Sequence, residues 1–170
     1  MEHRELGLGS LGGVSSLDTS HFRQVLGHFV TGVVVVTAST PDGPAGFTCQ
    51  TFGSISLEPS LISFSARTAS QSWPRIREVG VLGINILSAQ QEPLAKIFAT
   101  TGTEKFAGVS WSPGPGGAPL IEGALAHLEG CVQSVSAHGD HDIVVVVVDF
   151  ATSRSGRPLV YFRGGFSTLD

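Results

Sequence analysis

A polar segment at residues 65–72 carries the residue types that bind anions. It reads Ser65-Ala66-Arg67-Thr68-Ala69-Ser70-Gln71-Ser72 and precedes Trp73, where a helix is predicted to begin. Hydroxyl groups, a guanidinium group and the unpaired N–H groups of a helix N-terminus would converge there, which is an arrangement that holds phosphate. An ordinary polar loop with a helix cap has the same composition, so both interpretations stay open at this point.

A second segment contains small polar and apolar residues and no charge: Gly46-Phe47-Thr48-Cys49-Gln50-Thr51-Phe52-Gly53-Ser54. Small side chains and exposed backbone N–H groups suit the rim of a flat heteroaromatic ligand. A half-buried strand has the same pattern, and the residues alone favour that simpler interpretation.

A third group, Gly139-Asp140-His141-Asp142, lies between two predicted strands. A tight turn there would place His141 at the start of a strand beside two carboxylates, which could orient its imidazole. A hairpin turn with a solvated histidine is the alternative.

Other catalytic sets are missing from the sequence. It contains no GxSxG, HExxH or Walker motif, and no GxGxxG follows a predicted strand. Cys49 and Cys131 form no CxxC pair and no histidine set completes a metal site, so free thiols and no metal are expected. A chain without such a set leaves the difficult chemistry to a cofactor.

Composition limits the remaining classes. Charged residues make up only 14% of the 170 residues and the formal net charge is −4, which argues against nucleic-acid binding by phosphate neutralisation. Apolar runs such as 143–148 are far shorter than the ~20 residues that span a bilayer, so no membrane partner is expected. The N-terminus lacks the apolar stretch of a signal peptide, which predicts a cytoplasmic protein. So few charges also suggest that a partner covers part of the surface.

Helix patterns indicate how these segments are positioned. Residues 1–17 are rich in Gly and Ser and are expected to form a flexible arm. A short helix is predicted near Trp73, and another after the capping-box pair Ser88 and Gln91. The first helix begins at Asp18, which can cap it, and carries its apolar residues on one face: Phe22, Val25, Leu26 and Phe29.

The rest of the chain reads as strands in a single domain, 18–170. About seven strands and three short helices without βαβ alternation indicate an antiparallel sheet that closes into a barrel, with helices at its ends. The run 144–148 is apolar on both faces, and a homodimer interface is the simplest cover for its outer face. The predicted strands are 32–40, 45–55, 61–65, 81–87, 124–137, 142–152 and 158–162, with Pro/Gly turns at 41–44 and 112–117.

A series of motifs runs through the chain in a fixed order. Their order resembles that of the short-chain flavin reductase family, the reductase components of two-component flavin-dependent monooxygenases, over about 18–169. The resemblance implies a mainly β fold, an antiparallel split β-barrel with short helices at its ends, homodimeric, that binds FAD or FMN. The motifs are Phe22-Arg23-x-x-Leu26-Gly27-x-Phe29-x-Thr31-Gly32-Val33, the segment 46–52, Ser56-Leu57-Glu58-Pro59, Gly83-Ile84-Asn85-Ile86-Leu87, Phe98-Ala99, Lys105-Phe106, Gly139-Asp140-His141 and Pro158-Leu159-Val160-Tyr161.

The resemblance also implies roles for individual residues. His141 matches the histidine on the nicotinamide side and is the expected catalytic residue, and Pro158 and Tyr161 match a second NADH-binding segment. The segment that holds the flavin ring is matched by Gly46, Phe47, Thr48, Cys49, Gln50 and Thr51. The segment that takes the phosphate is matched by Ser65, Ala66, Arg67, Gln71 and Ser72. A further flavin contact is matched by Phe98, Lys105 and Phe106.

The activity that the resemblance implies is direct hydride transfer from NADH to FAD or FMN, after which reduced flavin diffuses to a separate monooxygenase. FAD and FMN stay open, and NADPH is less expected because no basic cluster for a 2′-phosphate is obvious. Two alternatives remain: a split-barrel oxidase with tightly bound FMN, similar to pyridoxamine phosphate oxidase, and a non-catalytic flavin-binding protein.

Overall fold

Three helices lie among the residues that the computed structural model describes, 17–102 and 104–169. The predicted arm falls outside these ranges except for Leu17. No helix within them is both long and apolar enough to cross a membrane. The helices are α1 (Thr19–Leu26), α2 (Trp73–Arg77) and α3 (Glu92–Ala99), with a 3-10 turn at Ala89–Gln91 before α3.

The helices begin where capping residues predict them. A carboxylate oxygen of Asp18 accepts the N–H of His21 at 2.9 Å at the start of α1. Ser88 and Gln91 form the predicted capping box, in which the N–H of Ser88 donates to Oε1 of Gln91 at 3.0 Å. α2 begins after Ser72 without a side-chain cap and carries Pro74 in its first turn, so all three helices lie where they were predicted.

The strands account for most of the remaining chain. They are β1 (Thr31–Gly32), β2 (Val34–Thr40), β3 (Gly43–Cys49), β4 (Gly53–Leu57), β5 (Ser60–Arg67), β6 (Val81–Ile86), β7 (Trp111–Pro113), β8 (Pro119–Ile121), β9 (Ala126–His138), β10 (His141–Ser153), β11 (Leu159–Phe162) and β12 (Gly165–Thr168).

Seven of these strands form one antiparallel sheet in the order β3-β2-β6-β9-β10-β5-β4. A three-stranded sheet, β1-β11-β12, and a two-stranded sheet, β7-β8, accompany it. Each strand pair runs antiparallel, which confirms the predicted class: mainly β, with an antiparallel sheet and few short helices.

The large sheet curls so that β3 approaches β5, although four strands lie between them in the strand order. The ring centroids of Phe47 on β3 and Phe64 on β5 are 6.1 Å apart, and Trp73 of α2 packs against both rings edge-on. Buried aliphatic residues from β2, β6 and β10 complete this core. One face of the sheet therefore encloses a single apolar interior.

A second apolar layer covers the other face of β2. Val34 and Val36 point into the enclosed core, whereas Val33 and Val35 pack against α3, β8 and β11 through Phe98, Ile121 and Leu159. The valine run is continuous because side chains on both faces of this strand are buried.

Several predictions of local structure were wrong in detail. The return segment 45–55 breaks at 50–52 into β3 and β4, and the loop 112–117 contributes to the β7–β8 hairpin. β12 was missed because its hairpin turn uses Arg163 and Gly164, both with positive φ, where Asn-Gly would have been the usual signal. The apolar residues of α1 share one face as predicted, and α1 buries none of its residues within this chain.

The outer face of β10 is only partly covered. Val144 and Val146 are buried in the core, whereas Val145 and Val147 are half-buried and Ile143 is 37% exposed. This alternation agrees with a strand that has one face in the core and an apolar outer face.

Candidate functional site

A cleft of about 500 Å³ opens where the ends of β3 and β5 meet the start of β10 and the C-terminal end of α3. Its volume lies within the ~300–1,000 Å³ typical of small-molecule sites. The structure thus brings all three predicted segments to one place. The predicted residues that line the cleft are Phe47, Thr48, Cys49, Gln50, Thr51, Ser65, Arg67, Gln71, Phe98, Lys105 and His141.

One wall of the cleft is an edge strand. β3 pairs with β2 along one edge, with Phe47 opposite Val36, and packs one of its faces against α3. The hydroxyl of Thr48 donates to the carbonyl of Ala95 at 2.6 Å, which fixes the strand to α3. Because an edge strand leaves backbone donors and acceptors for other partners, this uncharged wall suits the polar edge of a flat ring.

The opposite wall carries the polar segment 65–72. Ser70 lines the cleft, and its hydroxyl accepts the N–H groups of Ser72 at 3.2 Å and Trp73 at 3.3 Å. The expectation that these helix N–H groups are available to an anion was therefore wrong, because Ser70 already uses them. The exposed guanidinium of Arg67 and the side chains of Ser70 and Gln71 also line this wall, and these are polar groups of the kind that bind anions.

The two walls are joined through Thr51 and Ser65. The hydroxyl of Thr51 accepts the N–H of Ser65 at 2.8 Å and donates to its carbonyl at 3.2 Å. One side chain thus substitutes for a strand pairing between the segment that follows β3 and the end of β5, and the two segments keep a fixed separation across the cleft.

His141 stands at the mouth of the cleft, opposite Arg67 in the β5–β10 pairing. Its Nδ1 atom lies 2.8 Å from Oδ1 of Asp140. The hydrogen bond from His141 and its nearby charge, together with the charge of Arg67, lower the pKa of the Asp140 carboxyl below its usual value. Because a carboxylate can only accept, Nδ1 carries the hydrogen and Nε2 is left for a ligand.

The turn before His141 is anchored to the polar segment. The N–H and the hydroxyl of Thr68 both donate to the carbonyl of Asp140, each at 3.1 Å. The histidine and the proposed anion wall are therefore parts of one hydrogen-bonded unit.

Lys105 reaches the cleft from the loop after α3, and its side chain is almost completely buried, at 8% exposure. Its ammonium group donates to the carbonyl of Gly46 at 3.3 Å, the hydroxyl of Ser72 at 3.2 Å and the carbonyl of Phe98 at 3.1 Å. Burial lowers the pKa of Lys105 below its usual value.

Cys49 also lines the cleft. Its thiol lies 3.3 Å from the hydroxyl of Thr51 and donates to the carbonyl of Ser65 at 3.7 Å. Burial raises the pKa of the Cys49 thiol, so it is protonated and a poor nucleophile at neutral pH. The Cys49 thiol therefore serves as a packed side chain and a hydrogen-bond donor in this wall of the cleft.

Three of the predicted flavin-contacting residues support the cleft from behind. A side chain at Gly46 would meet the ring of Phe98, with a Cβ only 2.7 Å from its Cε1 atom, so glycine permits this packing. Ala66 is buried in the core, which leaves only its backbone near the cleft. Phe106 packs edge-on against Phe98, with ring centroids 5.0 Å apart.

The structure does not bring Pro158 and Tyr161 into the cleft. Pro158 forms a bridge with Ser88, and Tyr161 pairs with Thr31 on the three-stranded sheet, where it packs against Phe166. Their role in binding NADH stays a prediction.

Several residues that line the cleft were missed as ligand contacts: Ala69, Ser70, Ala99, Thr100 and Thr101. The last three form the C-terminal end of α3 and the residues just after it. The pair Thr100-Thr101 was only a weak indication of a ligand contact, because threonines also commonly end helices in proteins without a ligand there. Among the described residues, no group of three or more His, Cys, Asp or Glu side chains is arranged to hold a metal ion.

Comparison with known proteins identifies the same family that the sequence motifs resemble. Residues 26–170 match the flavin reductase like domain family. Reductase subunit HsaB of a flavin-dependent monooxygenase from Rhodococcus jostii is 36% identical over 156 residues, covering 91% of this chain and 80% of that protein. SmoA, an FMN reductase (NADH) from Agrobacterium fabrum, is 41% identical over 151 residues, covering 88% of this chain and 85% of that protein.

A solved structure also matches. The NADH:FAD oxidoreductase SgcE6 of Streptomyces globisporus, in complex with NAD and FAD fragments, superposes with a TM-score of 0.86 at 33% identity. The match covers 92% of this chain and 96% of that one. On its sequence and its fold, this chain belongs to the flavin reductase-like domain family.

Proposed function

We propose that this protein is an NADH-dependent flavin reductase that moves a hydride from NADH to FMN or FAD. The reduced flavin then passes to a separate monooxygenase. The observation that carries the proposal is the single cleft that joins a neutral edge-strand wall, a wall bearing Arg67 and a histidine at the mouth. The relatives named FMN reductase (NADH) and monooxygenase reductase subunit support it.

The residues of the cleft fit a flavin. The backbone and small side chains of 46–51 suit the polar edge of the ring, while Arg67, Ser70 and Gln71 suit a phosphate. The flavin supplies the hydride acceptor when bound. The protein contributes binding and alignment, because direct hydride transfer needs no protein nucleophile.

His141 is proposed to contact the nicotinamide side. Its imidazole is 37% exposed at the cleft mouth, and Asp140 fixes its orientation. Pro158 and Tyr161 lie outside the cleft, so we propose that they contact a part of NADH remote from the reacting ring.

NADH is favoured over NADPH because the relative SmoA is named an FMN reductase (NADH). Arg154, which follows β10, is one basic side chain already engaged by the protein, since its guanidinium donates to the carbonyls of Ala124 and Gly123. Use of NADH and the unpaired thiols of Cys49 and Cys131 support the expectation of a cytoplasmic enzyme.

We also propose that the curled sheet is a split barrel that works as a homodimer. Five apolar side chains of α1 and the residues just after it are exposed: Phe22, Val25, Leu26, Phe29 and Val30, with Phe29 the most exposed at 76%. An eight-residue helix that buries none of its residues is not stable alone, so its apolar face needs a partner surface. In this proposal a second copy of the chain supplies that surface. The apolar outer face of β10 is a second surface that the partner copy would cover.

The proposal is tested by mixing the protein with NADH and either FMN or FAD and following reduced-nicotinamide absorbance. Flavin-dependent loss of NADH is expected. An oxidase with tightly bound FMN would purify yellow and leave NADH unchanged. A non-catalytic flavin-binding protein would bind flavin without turnover.

A further inference from the structure

Lys105 is the most unusual charged group near the cleft. It is one of only two lysines in the chain. A buried ammonium normally has a carboxylate partner, yet none of the ion pairs among the described residues includes Lys105. Burial without a counter-charge costs stability, so the position invites a functional explanation.

The three acceptors of Lys105 belong to three different parts of the cleft. Gly46 opens the segment proposed to hold the ring, Ser72 closes the segment proposed to hold the phosphate, and Phe98 lies in the last turn of α3. An ammonium group has three N–H donors, and these three acceptors use all of them. Lys105 therefore has no donor left for a ligand, and it differs in this from the direct flavin contact that the family motif implies.

The surroundings of each acceptor favour a hydrogen bond from Lys105 that connects these parts of the cleft. Ser72 makes no capping hydrogen bond at the start of α2, so its hydroxyl is free to accept from Lys105. The carbonyl of Phe98 lies at the negative end of the α3 dipole, which favours a cation. The backbone of Gly46 is held close by the ring of Phe98.

We propose that Lys105 is a positioning residue that sets the distance between the ring segment and the phosphate segment of the cleft. This inference rests on the proposed flavin site. A ligand that uses both segments depends on their separation, whereas a ligand that uses only the ring segment does not. FMN carries a phosphate and riboflavin is the same molecule without it, so the pair measures the tether directly.

The test compares the dissociation constants of FMN and riboflavin for the wild type, Lys105→Met and Lys96→Met. Lys96 is an exposed lysine on α3 that pairs with Glu92 at 2.7 Å and is the matched control. Lys105→Met should weaken FMN about tenfold and riboflavin much less, since a charged hydrogen-bonded tether is lost. Lys96→Met should change neither constant.

A second variant keeps the test decisive if Lys105→Met does not fold. Ser72→Ala removes one acceptor, leaves the lysine and disturbs no helix cap, and it should weaken FMN selectively by about threefold. Equal weakening of both ligands in either variant, or no change in Ser72→Ala, overturns the inference. If the wild type binds neither ligand and consumes no NADH, the proposed function itself fails. A wild type that binds both ligands equally overturns only the tether.

Discussion

The indole N–H of Trp73 donates to a carboxylate oxygen of Asp142 across 2.8 Å, in a buried position where α2 meets the start of β10. Arg77 of the same helix approaches that oxygen at 3.8 Å. The helix that follows the phosphate segment is thus fixed to the strand that begins with His141. This contact holds the anion wall and the histidine in one arrangement.

Replacing Trp73 by Phe should destabilise the protein, because the buried carboxylate of Asp142 loses its closest donor. The expected cost is about 1–3 kcal/mol, including part of the desolvation penalty of the carboxylate. Urea unfolding measures it, with Trp111→Phe as the control, since Trp111 is half-buried and makes edge contacts with Phe106. Asp142→Asn keeps an acceptor and should cost less. Equal losses for Trp73→Phe and Trp111→Phe would contradict this account of the contact.

His141→Ala should raise KM for NADH more than it raises Kd for flavin. The imidazole stands at the mouth of the cleft, whereas the flavin is proposed to lie along 46–51 and 65–72. Steady-state kinetics and equilibrium flavin binding measure the two effects. His138→Ala is the control, because His138 is an exposed histidine at the end of β9. Equal changes in the two constants would place His141 on the flavin side.

Arg67→Ala should weaken binding of FMN by about ten- to a hundredfold, since a charge-assisted contact to phosphate is worth roughly 1.5–3 kcal/mol. Arg67→Lys keeps the charge without the planar fork and should lose less. Fluorescence titration with FMN distinguishes the variants. Unchanged affinity in Arg67→Ala would move the phosphate site elsewhere.

Cys49 should react slowly with iodoacetamide at neutral pH. Burial raises the thiol pKa above its ordinary value of 9.0, so the reactive thiolate forms only at higher pH and the rate should rise with pH across that range. The measurement uses Cys131→Ser, which leaves Cys49 as the only thiol. Saturating FMN should slow the reaction further because Cys49 lines the cleft. Fast labelling at pH 7, or labelling that FMN does not affect, would argue against this environment.

The proposed dimer predicts that charge on the exposed apolar surfaces weakens self-association. Leu26→Glu on α1 and Ile143→Glu on β10 should each shift the protein toward monomer in sedimentation experiments, because both side chains are exposed in the single chain. Gln24→Glu introduces a carboxylate on the same helix and should leave the dimer intact. A wild type that is monomeric at micromolar concentration, or a dimer that both substitutions leave unchanged, would reject the proposal.

Local sequence patterns predicted much of the fold, because helix caps and apolar periodicity depend on residues that are close together in the sequence. Asp18, Ser88 and Gln91 cap the predicted helices, and alternating or continuous apolar runs became strands. The missed β12 depends on a turn with Arg163 at positive φ, which side chains rarely adopt. Periodicity identified the apolar face of α1 but not whether this chain covers it, and within the chain that face stays exposed.

The candidate site was predictable as three segments but not as a geometry. Residue types singled out the segments 46–54, 65–72 and 139–142, and the fold brings residues of all three to one cleft. Two details depend on side-chain directions that spacing does not reveal: Ser70 takes the helix N–H groups, and Lys105 turns its three donors toward protein acceptors. Both sets of donors are therefore engaged by protein acceptors in this structure.

The most direct test is the initial rate of NADH consumption by the purified protein with no flavin, with FMN and with FAD. The account predicts little consumption without added flavin and rapid, saturable consumption with at least one of the two, with reduced flavin appearing in solution under anaerobic conditions. No flavin-dependent loss of NADH with either flavin would contradict the central claim.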